Sequence, residues 1–343
     1  MKIFMLGDFS SDTGPGRANK VLKEGLLDRH NDINLIYSSE KRLSRRIIEN
    51  ILKPAKADIT FVADFTRLHI LAMIVAKIMG HKVIYRMHGH IAFEGKINNP
   101  CISKRQYRRT VWLEKFFYSL TDRIICVSRL SARKLCHDIP SVKEKVTFCY
   151  NAVEKPIGSN ENKKNINSNV GIISVGGGMR RKNNLAICKA IKKINMYEHR
   201  KYTVVGEPYT DKEKICEYSF VEYTDSVPHE KLLSLMCGAD LYVQNSTFET
   251  FGLSALEALA NGCDILISKR MGICEVIDGL ETCDIICDVT DTEEIYDKMV
   301  GLLDKGNAKR LIKTIRWELV GKEFVSDWFY KEFRSQIKNN YEY

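Results

Sequence analysis

The sequence lacks the hydrophobic runs that would place the chain in a membrane or a secretory pathway. No run approaches the ~18 apolar residues of a membrane-spanning helix, and the best candidate, Ile70–Met79, is interrupted by Lys77. The first apolar run, Ile3–Leu6, is followed at once by Asp8, so it is far shorter than the ~7–15 residues of a signal-peptide core. We therefore expect a cytoplasmic protein.

Three short motifs are also missing from the sequence: a cysteine pair, a glycine fingerprint and an acidic metal-binding motif. The 11 cysteines are odd in number and stand singly without a Cys-x-x-Cys pair, which favours free thiols in a reducing compartment over a disulfide framework. No Gly-x-Gly-x-x-Gly fingerprint occurs, which argues against a nicotinamide oxidoreductase. No Asp-x-Asp metal motif occurs either.

The length and the charge distribution set the first positive expectations. At 343 residues and 39.4 kDa, the chain suits two domains of ordinary size. Residues 1–150 carry 27 Lys and Arg against 14 Asp and Glu, a net charge of +13, while the rest carries 26 against 29, a net charge of −3. The basic half either serves solubility or faces an anionic partner: a phosphorylated substrate, a membrane surface or, least favoured because no motif supports it, nucleic acid.

Short apolar runs alternate with helical patterns along the whole chain, which is typical of βαβ units with a parallel sheet. We expect an α/β protein with two doubly wound Rossmann-like domains facing each other across a cleft. The predicted organisation is a first domain over 1–153, a polar linker over 154–168, a second domain over 169–319 and a terminal helix over 320–343 that docks on one or both domains. Its aromatic residues have helical spacing and indicate packing.

Ligands of doubly wound sheets bind at the loops that follow the strands, and two such loops lie in the basic half. In the first, Gly14 and Gly16 let the backbone approach a ligand and Arg17 adds charge near a helix start; a surface turn without a ligand is the alternative. In the second, His88 and His90 follow a strand. His88 is placed to donate a hydrogen bond to a substrate oxygen, unless it is a structural histidine. Zinc is less favoured because no third ligand lies nearby.

A third loop combines glycines with three consecutive cations. Gly176 and Gly177 follow a strand, and Arg180, Arg181 and Lys182 stand at the start of a predicted helix. Cations at a helix N-terminus oppose the helix dipole unless an anion lies between them and the free N–H groups. A diphosphate group would satisfy all of these groups.

A fourth loop carries two carboxylates into an apolar helix. Glu249 precedes the helix and Glu257 lies two turns inside it. A carboxylate in a buried helix is costly unless hydrogen-bonded, and the paired hydroxyls of a ribose are suitable donors. The amides around Gly252 also come close to a ligand. Pairing of these carboxylates within the fold is the alternative.

At these residues, over about 1–300, the chain resembles glycosyltransferase family 4, retaining enzymes of the GT-B architecture. The resemblance lies in Glu249 and Glu257, a Glu-x7-Glu pair in the setting ExFGLxxLEAxAxG. It implies that Glu257 binds the nucleotide ribose and that Glu249 lies by the transferred sugar as a catalytic residue. It also implies that the segment Thr250, Phe251, Gly252 and Leu253 contacts sugar and diphosphate.

The resemblance extends to the other three loops. Lys182 matches the lysine that neutralises the diphosphate, His88 the catalytic histidine beside the reacting sugar, and Gly16 the glycine of the first loop. The family's arginine falls on Gly177 here, so either Arg180 or Arg181 supplies the missing cation. No metal or other cofactor is expected, because protein cations hold the diphosphate.

The implied function is transfer of a sugar from a UDP- or GDP-linked donor to a glycan or polyprenyl-diphosphate-linked glycan, in surface polysaccharide or glycoconjugate biosynthesis. Two basic helices with large apolar residues could lie on an anionic membrane, which would add peripheral attachment at the inner face of the cell membrane; solvated helix faces are the alternative. The cations assigned to this acceptor or membrane side are Arg17, Arg42, Arg45, Arg46, Arg105, Arg108 and Arg109. A nucleotide-sugar epimerase and a catalytically silent sugar-nucleotide-binding subunit are the rival functions.

Overall fold

The computed structural model describes residues 1–38, 42–154 and 170–338. The chain divides into two compact units. One holds Met1–Ala92, Ser103–Glu154 and the segment from Glu318 onward, and the other holds Phe93–Ile102 and the described chain up to Trp317. Most of the predicted linker, 154–168, lies outside the described residues.

The first unit contains a six-stranded parallel sheet in the order β2-β1-β3-β4-β5-β6. Helices cover both faces, so its central strands are almost wholly buried and mostly apolar. The strands are β1 (Lys2–Leu6), β2 (Asn34–Tyr37), β3 (Ile59–Val62), β4 (Lys82–Met87), β5 (Arg123–Cys126) and β6 (Val146–Phe148).

Six helices lie between or after these strands along the chain: α1 (Gly14–Arg29), α2 (Leu43–Leu52), α3 (Arg67–Ile78), α4 (Ile91–Asn98), α5 (Lys104–Ser119) and α6 (Arg129–Asp138). Local signals fix several of their starts. Thr13, Thr66 and Ser128 each accept a hydrogen bond from a backbone N–H in the first turn of α1, α3 and α6 respectively, which satisfies a donor that the helix leaves unpaired.

The second unit repeats the plan with a parallel sheet in the order β12-β11-β10-β7-β8-β9. Its strands are β7 (Val170–Val175), β8 (Tyr202–Val205), β9 (Val221–Thr224), β10 (Ala239–Gln244), β11 (Asp264–Ser268) and β12 (Ile285–Ile286). Its helices are α7 (Asn184–Ile194), α8 (Lys212–Cys216), α9 (His229–Gly238), α10 (Leu253–Ala260), α11 (Thr292–Lys305), α12 (Ala308–Leu311) and α13 (Trp317–Val320), of which α13 runs into the first unit.

The terminal helix α14 (Lys322–Lys338) packs on the first unit. Phe329 and Phe333 are fully buried, and their rings lie 5.8 and 5.4 Å from the ring of Phe61 in β3. At the surface, Asp327 accepts hydrogen bonds from Arg29 of α1 at 2.8 and 2.9 Å. The aromatic stripe of the tail therefore contributes to the core of this unit.

The two parallel sheets with flanking helices confirm the predicted α/β fold class. Several short elements escaped prediction, among them α4, α8 and β9. The second unit also differs at its first helix. The cations Arg180–Lys182 form a 3-10 turn, Asn183 follows with a positive φ of 53°, and α7 begins only at Asn184. The prediction that the three cations start the helix is therefore wrong, since a left-handed residue separates them from it.

Candidate active site

The glycine turn after β7 makes room for a lysine. Gly176 and Gly177 have φ values of +123° and +54°, a region that favours glycine. A Cβ on Gly176 would lie 2.6 Å from Cγ of Lys182. The N–H groups of both glycines donate to the carbonyl of Val205, at 2.8 and 3.0 Å. These two amides are thus used within the fold, and the turn contributes space beside Lys182.

Two cations from the 3-10 turn meet the first carboxylate of the Glu-x7-Glu pair. Glu249 Oε2 accepts hydrogen bonds from Lys182 Nζ at 2.6 Å and from Arg181 Nη1 at 2.8 Å. Gln244, at the end of β10, donates to the same oxygen at 3.2 Å. Lys182 and Glu249 are 7% and 9% exposed, so the ionic cluster is almost wholly removed from water.

Burial and charge act in opposite directions within this cluster. Burial alone would raise the pKa of Glu249, but Lys182 and Arg181 lower it to about 2. Burial lowers the pKa of Lys182, and the carboxylate opposes this effect. The Arg181 pKa is raised, because Glu249 and Glu94 outweigh its burial. The two cations therefore share the Glu249 carboxylate, and Arg181 also lies beside the carboxylate of Glu94.

The two arginines have different surroundings. Arg180 is the more exposed, and its Nε lies 3.7 Å from Asp211. Arg181 contacts Glu249, and its Nε also lies 3.4 Å from a carboxylate oxygen of Glu94. Glu94 belongs to the segment Phe93–Ile102 of the second unit. The structure brings Arg181, rather than Arg180, to Lys182. The sequence analysis singled out neither Glu94 nor Gln244. Each reaches the site through a tertiary contact, and the residues around it in the sequence form no motif that would indicate this contact.

Backbone contacts fix the loop that carries Glu249. Its N–H donates to Arg270 at 3.0 Å, and its carbonyl accepts from Gly272 at 3.1 Å. Phe251 accepts from Ile273 at 2.7 Å. Gly252 has a φ of +103° just before α10, and a Cβ there would lie 2.7 Å from a methyl carbon of the Met271 side chain. The predicted segment Thr250, Phe251, Gly252 and Leu253 thus forms a rigid, mostly buried entry to the helix.

Glu257 lies on the next turns of α10 and is 8% exposed. Its Oε1 is 3.2 Å from Nε2 of His229, the first residue of α9. The sequence analysis did not single out His229 as a partner for this carboxylate.

In the first unit, the loop after β1 is tied to itself. Asp8 accepts hydrogen bonds from the N–H groups of Ser10 and Ser11 and from the Ser11 hydroxyl. Gly16 packs against this loop so closely that a Cβ would lie 2.4 Å from Ser11 Oγ. Arg17, in the first turn of α1, is half-buried. Gly16 is therefore needed for close packing between loop and helix.

The two histidines after β4 differ in their partners. His88 Nε2 lies 2.9 Å from Asn19 Oδ1, and burial together with the charge of Arg86 keeps the pKa of His88 well below its usual 6.5. His90 Nε2 lies 3.1 Å from Ser131 Oγ, and burial lowers its pKa to about 4. Both imidazoles are neutral at pH 7.

Helix α2 turns its polar residues inward and its apolar residues outward. Glu49 accepts a hydrogen bond from Ser38 at 2.7 Å and pairs with Lys53, and Asn50 is 1% exposed. By contrast, five large apolar side chains are 38–67% exposed: Leu43, Ile47, Ile48, Ile51 and Leu52. Among the predicted cations here, Arg42 and Arg45 are exposed and Arg46 is half-buried. This inverted helix presents an apolar and basic surface.

Helix α5 presents a second surface of this type. Arg105, Arg108 and Arg109 are exposed. Trp112 is 62% exposed, and its ring is stacked on that of Phe116 at 5.7 Å. Within the described residues, no helix has the length and hydropathy to cross a bilayer, and no three His, Cys, Asp or Glu side chains gather as metal ligands.

Family comparisons cover both units of the chain. The sequence matches Glycosyltransferase Family 4 over residues 14–155 and Glycosyl transferases group 1 over residues 157–316, so the two matches together run through both units. The chain is a family 4, group 1 glycosyltransferase. The predicted resemblance to this family is thereby confirmed, as is the prediction of glycosyltransferase activity.

Relatives of this glycosyltransferase include a 41.2 kDa protein in the cps region of Klebsiella pneumoniae, 26% identical over 71% of this chain and 73% of that one. The phosphatidylinositol N-acetylglucosaminyltransferase GPI3 subunit of Saccharomyces cerevisiae is 26% identical over 49% of this chain and 41% of its own. In fold, the chain is similar to Anabaena Alr3699/HepE in complex with UDP and glucose, with a TM-score of 0.72, 13% identity and coverage of 98% and 100%.

Proposed function

We propose that this glycosyltransferase moves a sugar, with retention of anomeric configuration, from a nucleoside-diphosphate sugar to a hydroxyl of a glycan or lipid-linked glycan. The observation that carries the donor class is the pair of buried cations, Lys182 and Arg181, that meet on one oxygen of Glu249. Two fixed positive charges in a dry site suit an anionic leaving group that gains charge as its bond to the sugar breaks. UDP is the first candidate, since the HepE structure contains UDP and glucose.

Each group then has a definite part in the reaction. As the bond between the anomeric carbon and the phosphate oxygen breaks, Lys182 and Arg181 stabilise the departing diphosphate. Glu249 and His88 contact the sugar, and Glu257 accepts hydrogen bonds from the ribose. The acceptor oxygen bonds to the anomeric carbon on the face that the phosphate leaves, and the acceptor's proton passes to the departing phosphate oxygen. We propose that protein cations take the place of a metal, so EDTA should leave turnover unchanged.

The acceptor is proposed from the relatives and from the exposed basic helices. The yeast relative is named for transfer to phosphatidylinositol. Apolar and basic residues exposed side by side, as on α2 and α5, suit an anionic bilayer, where buried apolar area and charge attraction add together. We therefore propose peripheral association with an anionic membrane and a lipid-linked acceptor.

A screen of UDP- and GDP-sugars by thermal shift, followed by turnover of the stabilising donor with lipid-linked glycans, tests this function. We expect one donor class to raise Tm, and transfer to require both Lys182 and Glu249. Conversion of the donor to an epimer without an acceptor would identify the rival epimerase, and donor binding without any transfer would identify a silent subunit.

Vesicle co-sedimentation tests the membrane part separately. Replacement of Ile47 and Ile51 by Asp puts charge on the exposed apolar face of α2, and should reduce binding to vesicles with anionic lipid at low salt. Ile78, at the end of α3, is 78% exposed and provides a matched apolar-to-Asp control outside α2. Wild-type protein that fails to bind such vesicles would contradict the membrane proposal.

A further inference from the structure

An arginine without an acidic partner lies in the core of the first unit. Arg86, in β4, is 0% exposed. Its guanidinium donates to three neutral oxygens: the carbonyl of Ala18 at 3.2 Å, Asn19 Oδ1 at 3.1 Å and Asn151 Oδ1 at 3.0 Å. Among the described residues, no Asp or Glu oxygen lies within 4 Å of it. Its other neighbours include the ring of Phe329, 5.1 Å away.

Burial of this charge is unfavourable, and among the described residues only neutral oxygens and an aromatic ring offset it. Burial lowers the pKa of Arg86 to about 10, so the side chain remains charged at neutral pH. Cys149 also contributes no negative charge, because burial raises the pKa of its thiol to about 12. A buried charge that no anion compensates destabilises the folded state. Such a cost points to a use for the charge.

Asn19 connects this charge to His88. The Asn19 amide nitrogen donates to the carbonyl of Asp8 at 3.0 Å. Its oxygen faces both Arg86 Nη1, at 3.1 Å, and His88 Nε2, at 2.9 Å. Arginine can only donate, so the amide atom that faces it must be the oxygen. The orientation of the Asn19 amide is therefore fixed from both ends.

The fixed amide determines the position of the His88 proton. An amide oxygen only accepts hydrogen bonds, so Nε2 of His88 must carry the proton that joins them. In a neutral imidazole, Nδ1 is then the unprotonated nitrogen and an acceptor. The positive charge of Arg86 opposes a second proton on the ring. Nδ1 of His88 is thus an acceptor, whereas the sequence alone suggested that this residue donates.

We propose that Asn19 and Arg86 are positioning residues for the transfer reaction: they hold His88 neutral, with its proton on Nε2, so that Nδ1 accepts a hydrogen bond from a substrate hydroxyl. This inference rests on the proposed function through the placement of His88 beside the sugar. Asn19 fixes the tautomer, and Arg86 fixes Asn19 and disfavours the imidazolium.

The first test is the protonation state of His88 in the full chain. Long-range proton–nitrogen NMR of protein with labelled histidine, with His88→Gln to assign the signal, distinguishes the two neutral tautomers from the imidazolium. We expect a neutral ring with its proton on Nε2 from pH 6 to pH 8. A proton on Nδ1, or an imidazolium at pH 7, would overturn the proposal.

Two Asn19 variants separate positioning from packing. Asn19→Asp keeps an acceptor for His88 but adds a negative charge, so the His88 pKa should rise and turnover should fall as the pH is lowered from 8 to 6. Asn19→Leu removes the acceptor; it should abolish the tautomer preference and lower kcat at least tenfold, while the Kd for the nucleotide changes less than threefold.

Asn50→Leu is the matched control. Asn50 is another buried asparagine of the first unit, and its amide donates to the carbonyl of Arg46 at 2.7 Å. The control should lower stability without a change in the His88 signal. An unchanged His88 signal and kcat in Asn19→Leu would refute the positioning role, even if glycosyl transfer is demonstrated. If the predicted tautomer is found but no donor is turned over, the proposed function fails and the arrangement of Asn19, Arg86 and His88 stands.

Discussion

Replacement of Lys182 by methionine tests the donor site most directly. Methionine keeps an unbranched apolar stem and removes the ammonium group, which lies 2.6 Å from Glu249 in the free protein. A hydrogen bond to a charged group contributes about 1.5–3 kcal/mol, and each 1.4 kcal/mol is a factor of ten in Kd. Lys182→Met should therefore raise the Kd for the nucleoside diphosphate about 10- to 150-fold.

Glu249→Gln should have the opposite effect on nucleotide binding. In the free protein, the Glu249 carboxylate engages both cations, so it competes with the diphosphate for them. Removal of one member of a buried ionic cluster costs about 3–5 kcal/mol, and the free variant should unfold at a lower Tm. The nucleoside diphosphate should bind at least as tightly as to the wild type and should restore Tm more strongly, while turnover is lost.

Isothermal titration with UDP or GDP, whichever the screen selects, measures both effects. Lys201→Met is the matched control, because Lys201 Nζ pairs with Glu222 at 2.9 Å in the same unit but both side chains are about half exposed. An exposed pair contributes about 0–1 kcal/mol, so the control should bind the nucleotide as the wild type does. A wild-type Kd in Lys182→Met, or an equal loss in both lysine variants, would refute the assigned role of the buried cation.

Three further predictions concern the same cluster. Arg181→Ala should weaken nucleotide binding at least tenfold and Arg180→Ala less than threefold, because only Arg181 shares the carboxylate; equal losses by titration would contradict this. Gly176→Ala should lower stability by about 1–3 kcal/mol, since its Cβ would lie 2.6 Å from Lys182 at a φ of +123°, and a wild-type denaturation midpoint would contradict the packing argument. The surrounding cations lower the Glu249 pKa from 4.5 to about 2, so the contribution of this carboxylate to stability is complete above pH 4.5 and is lost as the pH falls through 2. In Glu249→Gln, the free energy of unfolding should therefore depend less on pH between 4.5 and 2. Identical pH dependence in wild type and variant would show that the carboxylate is not held by the cations.

The sequence predicted the central strands well because both faces of these strands are buried. Strands such as β1, β4 and β8 are short, mostly apolar segments, which is typical of strands in a parallel sheet. The edge strand β9 was missed, since it has only four residues and is mostly half-exposed, so it contains no apolar run. The five-residue helix α8 is too short to show a helical period.

Residues of the candidate site could be predicted where their charge or polarity is unusual for the neighbouring sequence. Glu249 and Glu257 are acidic within an apolar segment, and Lys182 belongs to a run of cations after glycines. The partners that complete each cluster have no such signal. Asn19 and Arg86 are ordinary residues of a helix and a strand, and only the fold brings them to His88, across 69 residues of sequence in the case of Asn19.

The buried cluster implies that donor binding is an exchange of anions. Lys182 and Arg181 could not stay charged and buried without a negative partner, and in the free protein Glu249 supplies it. If the diphosphate binds where we propose, it takes over contacts that the carboxylate already makes, so its affinity is the difference between two ionic interactions. The same exchange runs in reverse after transfer, when Glu249 regains the cations as the nucleotide leaves. A carboxylate in this position thus keeps the free site folded and also limits how tightly the product is held.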